Sequence, residues 1–167
     1  MKRVFCIFFI LILVFTFSSS LSAAEDTHVY RGIHFGMSVK EFHENLRADE
    51  KMELSVGIPE IEIEGTVYNI FALYHEDQLY EIYFESPNYI ADYYVKKNLE
   101  ELSNIIDSEY GKADTVNDFE LREVKDDILW KKIWELEEKK IELGVGKMDT
   151  EKYVSLHMIY FPIYEGY

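Results

Sequence analysis

The sequence predicts a mixed α+β fold built on an antiparallel sheet. Three observations predict it: apolar residues at helical spacing in two segments, apolar residues at alternate positions in several others, and no Pro-rich or Gly/Ser-rich linker between them. The order along the chain is helix, strands, helix, strands. We therefore expect an antiparallel sheet with two helices packed on one face.

Residues 1–24 have the pattern of a secretory signal peptide. Two basic residues precede the apolar run Val4–Phe17, and a segment of small residues ends at Ala24. The run has 14 residues, fewer than the ~20 that a membrane-spanning helix needs. We expect cleavage after Ala24, which leaves residues 25–167 as a single exported domain with no stable membrane anchor, in the periplasm or outside the cell.

The charge and the cysteine content restrict the functions that the mature chain can have. Its formal charge is −17, because the signal peptide holds two of the 17 basic residues and none of the 32 acidic ones. Such a surface repels nucleic acid and anionic lipid, and it attracts basic partners. The one cysteine, Cys6, lies in the predicted signal peptide, so the mature domain has no disulfide, thiolate nucleophile or sulfur-ligated metal.

The first helix is predicted to begin at Ser38 and to end near Ala48. The Ser38 hydroxyl can accept from the backbone of Glu41, whose carboxylate can return to the Ser38 amide in a capping box. Met37 and Phe42 have the spacing of a hydrophobic staple across this helix start.

Alternating apolar residues predict three strands after the first helix, with a polar hairpin turn between the last two. The strands and the turn are Ile61–Ile63, Val67–Tyr74, His75–Gln78 (the turn) and Leu79–Glu85. A regular alternation in the last strand places Leu79 on the side opposite Ile82.

The second half repeats this order. A longer helix is predicted over Tyr89–Glu109 with Gly111 as its C-terminal cap, followed by strands Ile128–Trp134, Ile141–Val145 and Val154–Phe161. Trp130 and Trp134 are expected to share one face and to lie in the core. The two halves are a possible tandem pseudo-repeat of one helix and about three strands; one continuous sheet with two helices on one side is the alternative.

No catalytic or cofactor-binding signature is present in the sequence. The mature chain has five histidines, His28, His34, His43, His75 and His157, and no two of them have the helical spacing of a metal site. His157 is expected to be a surface or half-buried strand residue. No Gly-rich phosphate loop, calcium loop or nucleophile elbow occurs, so we expect no catalytic residue, no metal and no cofactor.

Tyrosine supplies the candidate partner-binding residues, because its large ring with a polar tip suits protein interfaces. Six tyrosines lie in or around the predicted hairpin and second helix: Tyr74, Tyr80, Tyr83, Tyr89, Tyr93 and Tyr94. The alternative is that these tyrosines line the edge of a small core.

The run YRGIHFGMSVKEFHENL, together with the later SEYGKAD, resembles small exported bacterial α+β domains. The nearest named groups are the outer-membrane assembly lipoprotein BamE and the β-lactamase inhibitory protein with its tandem helix-plus-sheet repeats. The chain departs from them, since no lipidated cysteine precedes the domain and no Leu-Gly-x-Pro closes the first helix. The resemblance implies this fold type and a non-enzymatic role in binding another envelope or secreted protein.

The sequence therefore favours an exported, non-catalytic binding or assembly module of the bacterial cell envelope that recognises another protein. Two alternatives stay open: a small hydrolase with two carboxylates in a cleft, and an acidic cation-binding protein. The identity of the partner is left open.

Overall fold

The computed structural model describes residues 27–49, 52–55, 58–89, 91–125 and 127–164. The predicted signal peptide, residues 1–24, lies outside the described residues. The elements in this part of the chain are β1 His28–Tyr30, β2 Ile33–His34, α1 Val39–Ala48, β3 Met52–Ser55, β4 Ile58–Ile63, β5 Thr66–His75, β6 Gln78–Glu85, α2 Asp92–Tyr110, β7 Thr115–Val116, a 3₁₀ turn Leu121–Glu123, β8 Leu129–Glu135, β9 Lys139–Met148, β10 Glu151–Tyr160 and α3 Phe161–Tyr164.

Eight strands form one antiparallel sheet in the order β3-β4-β5-β6-β10-β9-β8-β7. The strands β3 to β6 form one meander and β7 to β10 another, and the last strand of each pairs with the other at the centre of the sheet. Each meander has four strands, whereas the sequence predicted about three in each half. The mixed α+β class with an antiparallel sheet is confirmed, and β1 and β2 form a separate small hairpin.

The capping box that the sequence predicts at the start of α1 is present. The Glu41 amide donates to the Ser38 hydroxyl at 3.3 Å, and the Ser38 amide donates to Glu41 Oε2 at 2.8 Å. A second acceptor comes from the β5–β6 turn, where Asp77 Oδ1 accepts from the Val39 amide at 3.1 Å. These bonds satisfy amides that an open helix end leaves without partners and fix α1 to the hairpin.

Replacing Ser38 by alanine should lower the free energy of unfolding by about 1 kcal/mol, because the N-cap acceptor is lost. Urea denaturation followed by circular dichroism measures this. Ser108→Ala is the matched control, because among the described residues the Ser108 hydroxyl bonds only to the Ile105 carbonyl of its own helix, at 2.7 Å, and alanine is a good helix former. Equal losses in the two variants would show that the cap contributes nothing.

The helix α2 begins three residues later than predicted, at Asp92. The reason is that Tyr89 forms an isolated antiparallel bridge with Lys152 on β10, with amide-to-carbonyl distances of 2.7 and 2.9 Å in the two directions. A residue engaged in this way cannot also adopt helical backbone. The predicted C-terminal cap is confirmed, since Gly111 has φ 86° and its amide donates to the Asp107 carbonyl at 3.1 Å.

One face of the sheet, here called the first face, is apolar and buried. Its buried residues are Ile61, Ile63, Tyr68, Ile70, Ile82, Phe84, Trp134, Ile141, Leu143, Val145, Val154, Leu156 and Met158. From α2, Leu102 and Ile106 lie with Phe84 and Leu156 around a cavity of only about 20 Å³. The ring of Phe42 on α1 meets the ring of Tyr74 edge-on, with centroids 6.2 Å apart.

A β-bulge in β6 changes which residues reach this face. Leu73 pairs with Glu81 whereas Tyr74 pairs with Leu79, so Tyr80 is an extra residue on its strand. Leu79 therefore lies in the core, with no exposed surface. The prediction that Leu79 faces the opposite side is wrong, because an extra residue reverses the alternation of side chains.

A second bulge, in β8, separates the two tryptophans. Trp130 pairs with Gly144 whereas Lys132 pairs with Leu143, so the residue between them is extra. Trp134 is buried in the first face, and its Nε1 donates to the Gly111 carbonyl at 3.0 Å. Trp130 lies on the opposite face, so the prediction that the two share a face is wrong.

Candidate functional site

The other face of the sheet, here called the second face, carries aromatic and charged residues. It is made by Val67, Asn69, Phe71, Leu73, Glu81, Tyr83, Glu85, Trp130, Ile133, Lys140, Glu142, Gly144, Gly146, Tyr153, Ser155, His157 and Ile159. On β5 its apolar side chains are open to solvent: Val67 is 45 % exposed, Phe71 38 % and Leu73 42 %. These three side chains are here called the stripe; Phe71 and Leu73 are adjacent on this face, and Asn69 lies between them and Val67.

The middle of this face is a rung of four residues in direct register, Phe71 on β5, Tyr83 on β6, His157 on β10 and Glu142 on β9. The rung crosses the junction of the two meanders. Its aromatic end is exposed at Phe71, and its polar end is buried at His157 and Glu142.

His157 is held between two carboxylates. Its Nδ1 lies 3.0 Å from Glu142 Oε2 and its Nε2 lies 2.9 Å from Glu81 Oε1. A neutral imidazole donates from one nitrogen only, so both bonds to ionised carboxylates form when the ring is the doubly protonated imidazolium. The expectation of a surface or half-buried histidine is corrected, because only 5 % of His157 is exposed.

Two further hydrogen bonds complete the network. The Tyr83 hydroxyl donates to Glu81 Oε1 at 2.6 Å, and Lys140 Nζ lies 2.5 Å from Glu142 Oε1. With His157 protonated, two carboxylates face two cations. Such a network is stable when buried because no charge is left uncompensated.

The same contacts shift the pKa values of Glu142 and Tyr83. Burial raises the pKa of Glu142, but hydrogen bonds from His157 and Lys140 outweigh it and leave that pKa below its ordinary value. Burial, followed by the bond to the Glu81 carboxylate, raises the pKa of Tyr83. At neutral pH, Glu142 is therefore ionised and Tyr83 is a hydrogen-bond donor.

Aromatic rings cover the histidine on both sides. Tyr83 stacks on His157 with centroids 4.1 Å apart and planes at 1°, and Trp130 follows at 5.8 Å and 28°. Two glycines of β9 make room for the large rings. A Cβ on Gly144 would lie 2.7 Å from Trp130 Cε3, and one on Gly146 would lie 2.3 Å from Tyr153 Cζ.

This arrangement does not provide a free general base. Both nitrogens of His157 are engaged by carboxylates, so neither can take a proton from Ser155, its neighbour two residues away on the same face. Glu81 and Glu142 are likewise tied to one ring. Among the described residues, no group of histidine and carboxylate side chains is arranged to hold a metal ion.

The structure divides the six candidate tyrosines among separate places. Tyr83 lies on the second face and Tyr80 is the half-buried residue at the β6 bulge. Tyr89, Tyr93 and Tyr94 cluster at the start of α2, where the centroids of Tyr93 and Tyr94 are 5.4 Å apart and those of Tyr89 and Tyr94 5.8 Å.

In this cluster Tyr93 is 69 % exposed and Tyr94 53 %, while the Tyr89 hydroxyl accepts from Asn98 Nδ2 at 2.9 Å. Tyr74 packs against Phe42, and its buried hydroxyl has no hydrogen-bond partner in the described part of the chain. Burial raises the pKa of Tyr74.

Replacing Tyr74 by phenylalanine should leave the free energy of unfolding unchanged or raise it by up to about 1 kcal/mol, because an unsatisfied buried hydroxyl is removed. Tyr83→Phe is the matched control and should lower the stability by about 1.5–3 kcal/mol, since its hydroxyl bonds to a carboxylate. Chemical denaturation at neutral pH measures both. A larger loss for Tyr74→Phe would place its hydroxyl in a stabilising hydrogen bond.

Sequence reasoning missed the central residues of this face. Glu81 and His157 are 76 positions apart, and no local pattern joins them. Trp130 was assigned to the core because the bulge beside it has no signature in the sequence. The one available signal was the pair Gly144 and Gly146 inside a strand, since such glycines mark a close approach of another group.

Comparisons with known proteins leave the function open. No protein-family model matches the chain, and no curated protein or solved structure matches it. In the described residues there is no helix with the length and apolar character to cross a membrane.

Proposed function

We propose that this protein is an exported, non-catalytic binding module of the bacterial cell envelope that recognises another protein through the second face of its sheet. The observation that carries the proposal is the exposed stripe of Val67, Phe71 and Leu73 beside the buried network of His157. An apolar stripe next to a rigid aromatic row has the composition of a protein interface.

Preorganisation supports the proposal. Tyr83 and Trp130 lie on either side of His157, and the histidine is fixed by hydrogen bonds from both nitrogens. Side chains that are already ordered lose little entropy on binding, and well-packed tyrosine and tryptophan residues contribute most to interface affinity.

We also propose that the fold is a tandem pseudo-repeat of one helix and four strands, with both helices on the first face. The symmetric strand order supports the repeat, since β6 and β10 end their meanders and pair at the centre. The contact of Phe42 with Tyr74 and the position of Leu102 beside Phe84 support helices on one side. This arrangement leaves the second face for a partner.

The carboxylate hydrolase is the alternative with one observation in its favour, because Glu81 and Glu142 do converge. They converge on the ring of His157 rather than on an open cleft, and both lie within hydrogen-bond distance of its nitrogens. A glycosidase pair needs one carboxyl group to donate a proton while the other stays ionised. The geometry therefore favours a structural role for both carboxylates.

The tyrosine cluster of Tyr89, Tyr93 and Tyr94 at the start of α2 is a second proposed contact region. Tyr93 and Tyr94 are exposed and meet edge-on, and clustered exposed tyrosines suit protein recognition. They lie at the end of the sheet that bears the Tyr89 bridge to Lys152, whereas the stripe on β5 lies on the second face. The two surfaces are separable by substitution.

Photo-crosslinking in producing cells tests the proposed function. A benzoylphenylalanine at position 71 should form an adduct with one discrete protein. The matched control is the same residue at Val116, which is 62 % exposed but lies on β7 in register with Lys132 of the first face. Tandem mass spectrometry of the adduct identifies the partner and confirms the attachment point.

Adducts at position 71 and none at position 116 are the expected result. Adducts of equal yield at both positions, or at position 116 alone, would contradict recognition by the second face. Benzoylphenylalanine in place of Tyr93 probes the tyrosine cluster in the same experiment. Adducts there and none at position 71 would place the interface at that cluster.

A further inference from the structure

A second rung of this face contains a carboxylate that has no partner among the described residues. Asn69, Glu85, Ser155, Gly144 and Trp130 are paired in that order from β5 to β8. Two small residues therefore separate Glu85 from the indole of Trp130.

Glu85 is half-buried, and its carboxylate makes no hydrogen bond or ion pair within the described part of the chain. No lysine or arginine lies beside it in its rung, and Lys140, the cation nearest to the central network, is bound to Glu142. Burial raises the pKa of Glu85, as expected for a carboxylate that no cation stabilises.

The residue opposite Glu85 is unsatisfied as well. Ser155 has no exposed surface, and its hydroxyl has no hydrogen-bond partner among the described residues. Buried polar groups in folded proteins almost always have a partner, so an unsatisfied hydroxyl at Ser155, directly opposite the unpaired carboxylate of Glu85, is unusual. The two carboxylate oxygens of Glu85 can accept hydrogen bonds, and the Ser155 hydroxyl can donate one.

Aromatic rings border this polar pair. Tyr83 precedes Glu85 by two residues on the same face, and Tyr153 precedes Ser155 in the same way. Tyr153 is close enough for the Glu85 charge to raise its pKa further, beyond the effect of burial. A partly buried carboxylate beside aromatic rings offers a cation both charge-assisted hydrogen bonds and contact with a ring face.

We propose that Glu85 is the acceptor for an arginine side chain of the protein partner, with Ser155 beside it and the neighbouring rings as a stacking surface. This rests on the proposed function. Guanidinium is planar, stacks on aromatic rings and donates two parallel hydrogen bonds to a carboxylate, which an ammonium group cannot do. Arginine is also among the residues that dominate interface affinity.

The charge of the chain argues for a cationic partner surface rather than a second copy. With 32 acidic and 17 basic residues the protein has a formal charge of −15, and on the second face Glu85 has no cation in its rung, whereas Glu81 and Glu142 are paired with His157 and Lys140. A self-complementary dimer would bring two Glu85 carboxylates together in a poorly solvated interface, which like charges oppose. A basic partner meets complementary potential on the same surface.

Amide chemical shifts during titration with Nα-acetyl-argininamide test the proposal without any partner protein. We expect a saturable change at Glu85, Ser155 and Tyr153 with a Kd in the millimolar range, about that of a single side chain. Nα-acetyl-citrullinamide, which has the same shape and no charge, should bind at least about tenfold more weakly.

Glu85→Gln should weaken arginine binding at least about tenfold while the spectrum stays dispersed, because a neutral amide fits a site that disfavours charge. Glu135→Gln is the matched control, since it removes the same charge from an exposed residue on β8, three strands away. A change that is absent, equal for both ligands, or insensitive to Glu85→Gln would overturn the proposal. No arginine binding at Glu85 together with adducts at position 71 would contradict the arginine site and leave the proposed function in place. Arginine binding at Glu85 without adducts at position 71 would keep the arginine site and contradict the proposed function.

Discussion

Replacing His157 by alanine should lower the free energy of unfolding by about 3–5 kcal/mol at neutral pH. The side chain is 7 % exposed and bonds to Glu142 and Glu81, whose side chains are 9 % and 14 % exposed. Its removal leaves two buried carboxylates close together with Lys140 as the one remaining cation of the network. Guanidinium denaturation measures the loss.

The loss should depend on pH with a definite sign. The pKa of Glu142 is lowered in the folded protein, so its contribution is present above the unfolded value of about 4.5 and is lost as the pH falls through the folded value. The variant lacks the bond from His157 that helps lower this pKa. The stability difference between wild type and variant should therefore shrink below about pH 4.5, where carboxylic acids need no cation.

His28→Ala is the matched control for a histidine paired with a glutamate. His28 Nδ1 lies 3.3 Å from Glu109, and the two side chains are 44 % and 39 % exposed. An exposed pair contributes less than about 1 kcal/mol, so this variant should stay close to wild type. A loss for His157→Ala that is equally small, or that grows on acidification, would contradict a buried ion network.

Replacing Trp134 by alanine should lower the free energy of unfolding by about 3–5 kcal/mol, because its indole is buried in the first face and donates to the Gly111 carbonyl. Trp130→Ala, on the same strand, should cost less than half as much, since Trp130 is half-buried on the second face. Trp130→Ala should instead weaken partner binding. Denaturation of both variants under one condition gives the comparison.

The pair of tryptophan variants tests the bulge between them directly. In a regular strand, residues four apart point the same way, so two similar losses would indicate that Trp130 and Trp134 share a face. A greater loss for Trp130→Ala would contradict both the bulge and the assignment of the second face.

The sequence alone predicted those features that depend on neighbouring residues. The capping box of Ser38 and Glu41 and the cap at Gly111 each depend on a few adjacent positions. The three inner strands of each meander were predicted because their alternation is local, as in Val154–Phe161 against the observed Glu151–Tyr160, whereas the edge strands β3 and β7 were not predicted. Local chemistry decides where such elements start and stop.

The features that the sequence did not predict depend on pairing between distant strands. The bulges at Tyr80 and Lys131 reverse the facing of Leu79 and separate the two tryptophans, and nothing in either segment distinguishes a bulged strand from a regular one. The site around His157 requires four strands in register. Register is fixed by the whole sheet, so residue spacing along the chain carries little of that information.

That the six tyrosines bind a partner stays a prediction, and the structure places them in different environments. Tyr83 does lie on the second face, whereas Tyr74 packs against α1 and Tyr93 lies at the start of α2. A count of tyrosines cannot separate these environments, because each position has the same local sequence character. Burial and register separate them.

Hydroxyl-radical footprinting of the protein, free and bound to the partner identified by crosslinking, tests the second face most directly. We expect Phe71, Leu73 and Trp130 to react in the free protein and to be protected in the complex, with the reactivity of Val116 unchanged. Protection of Tyr93 and Tyr94, with Phe71 and Leu73 as reactive as in the free protein, would contradict recognition by the second face.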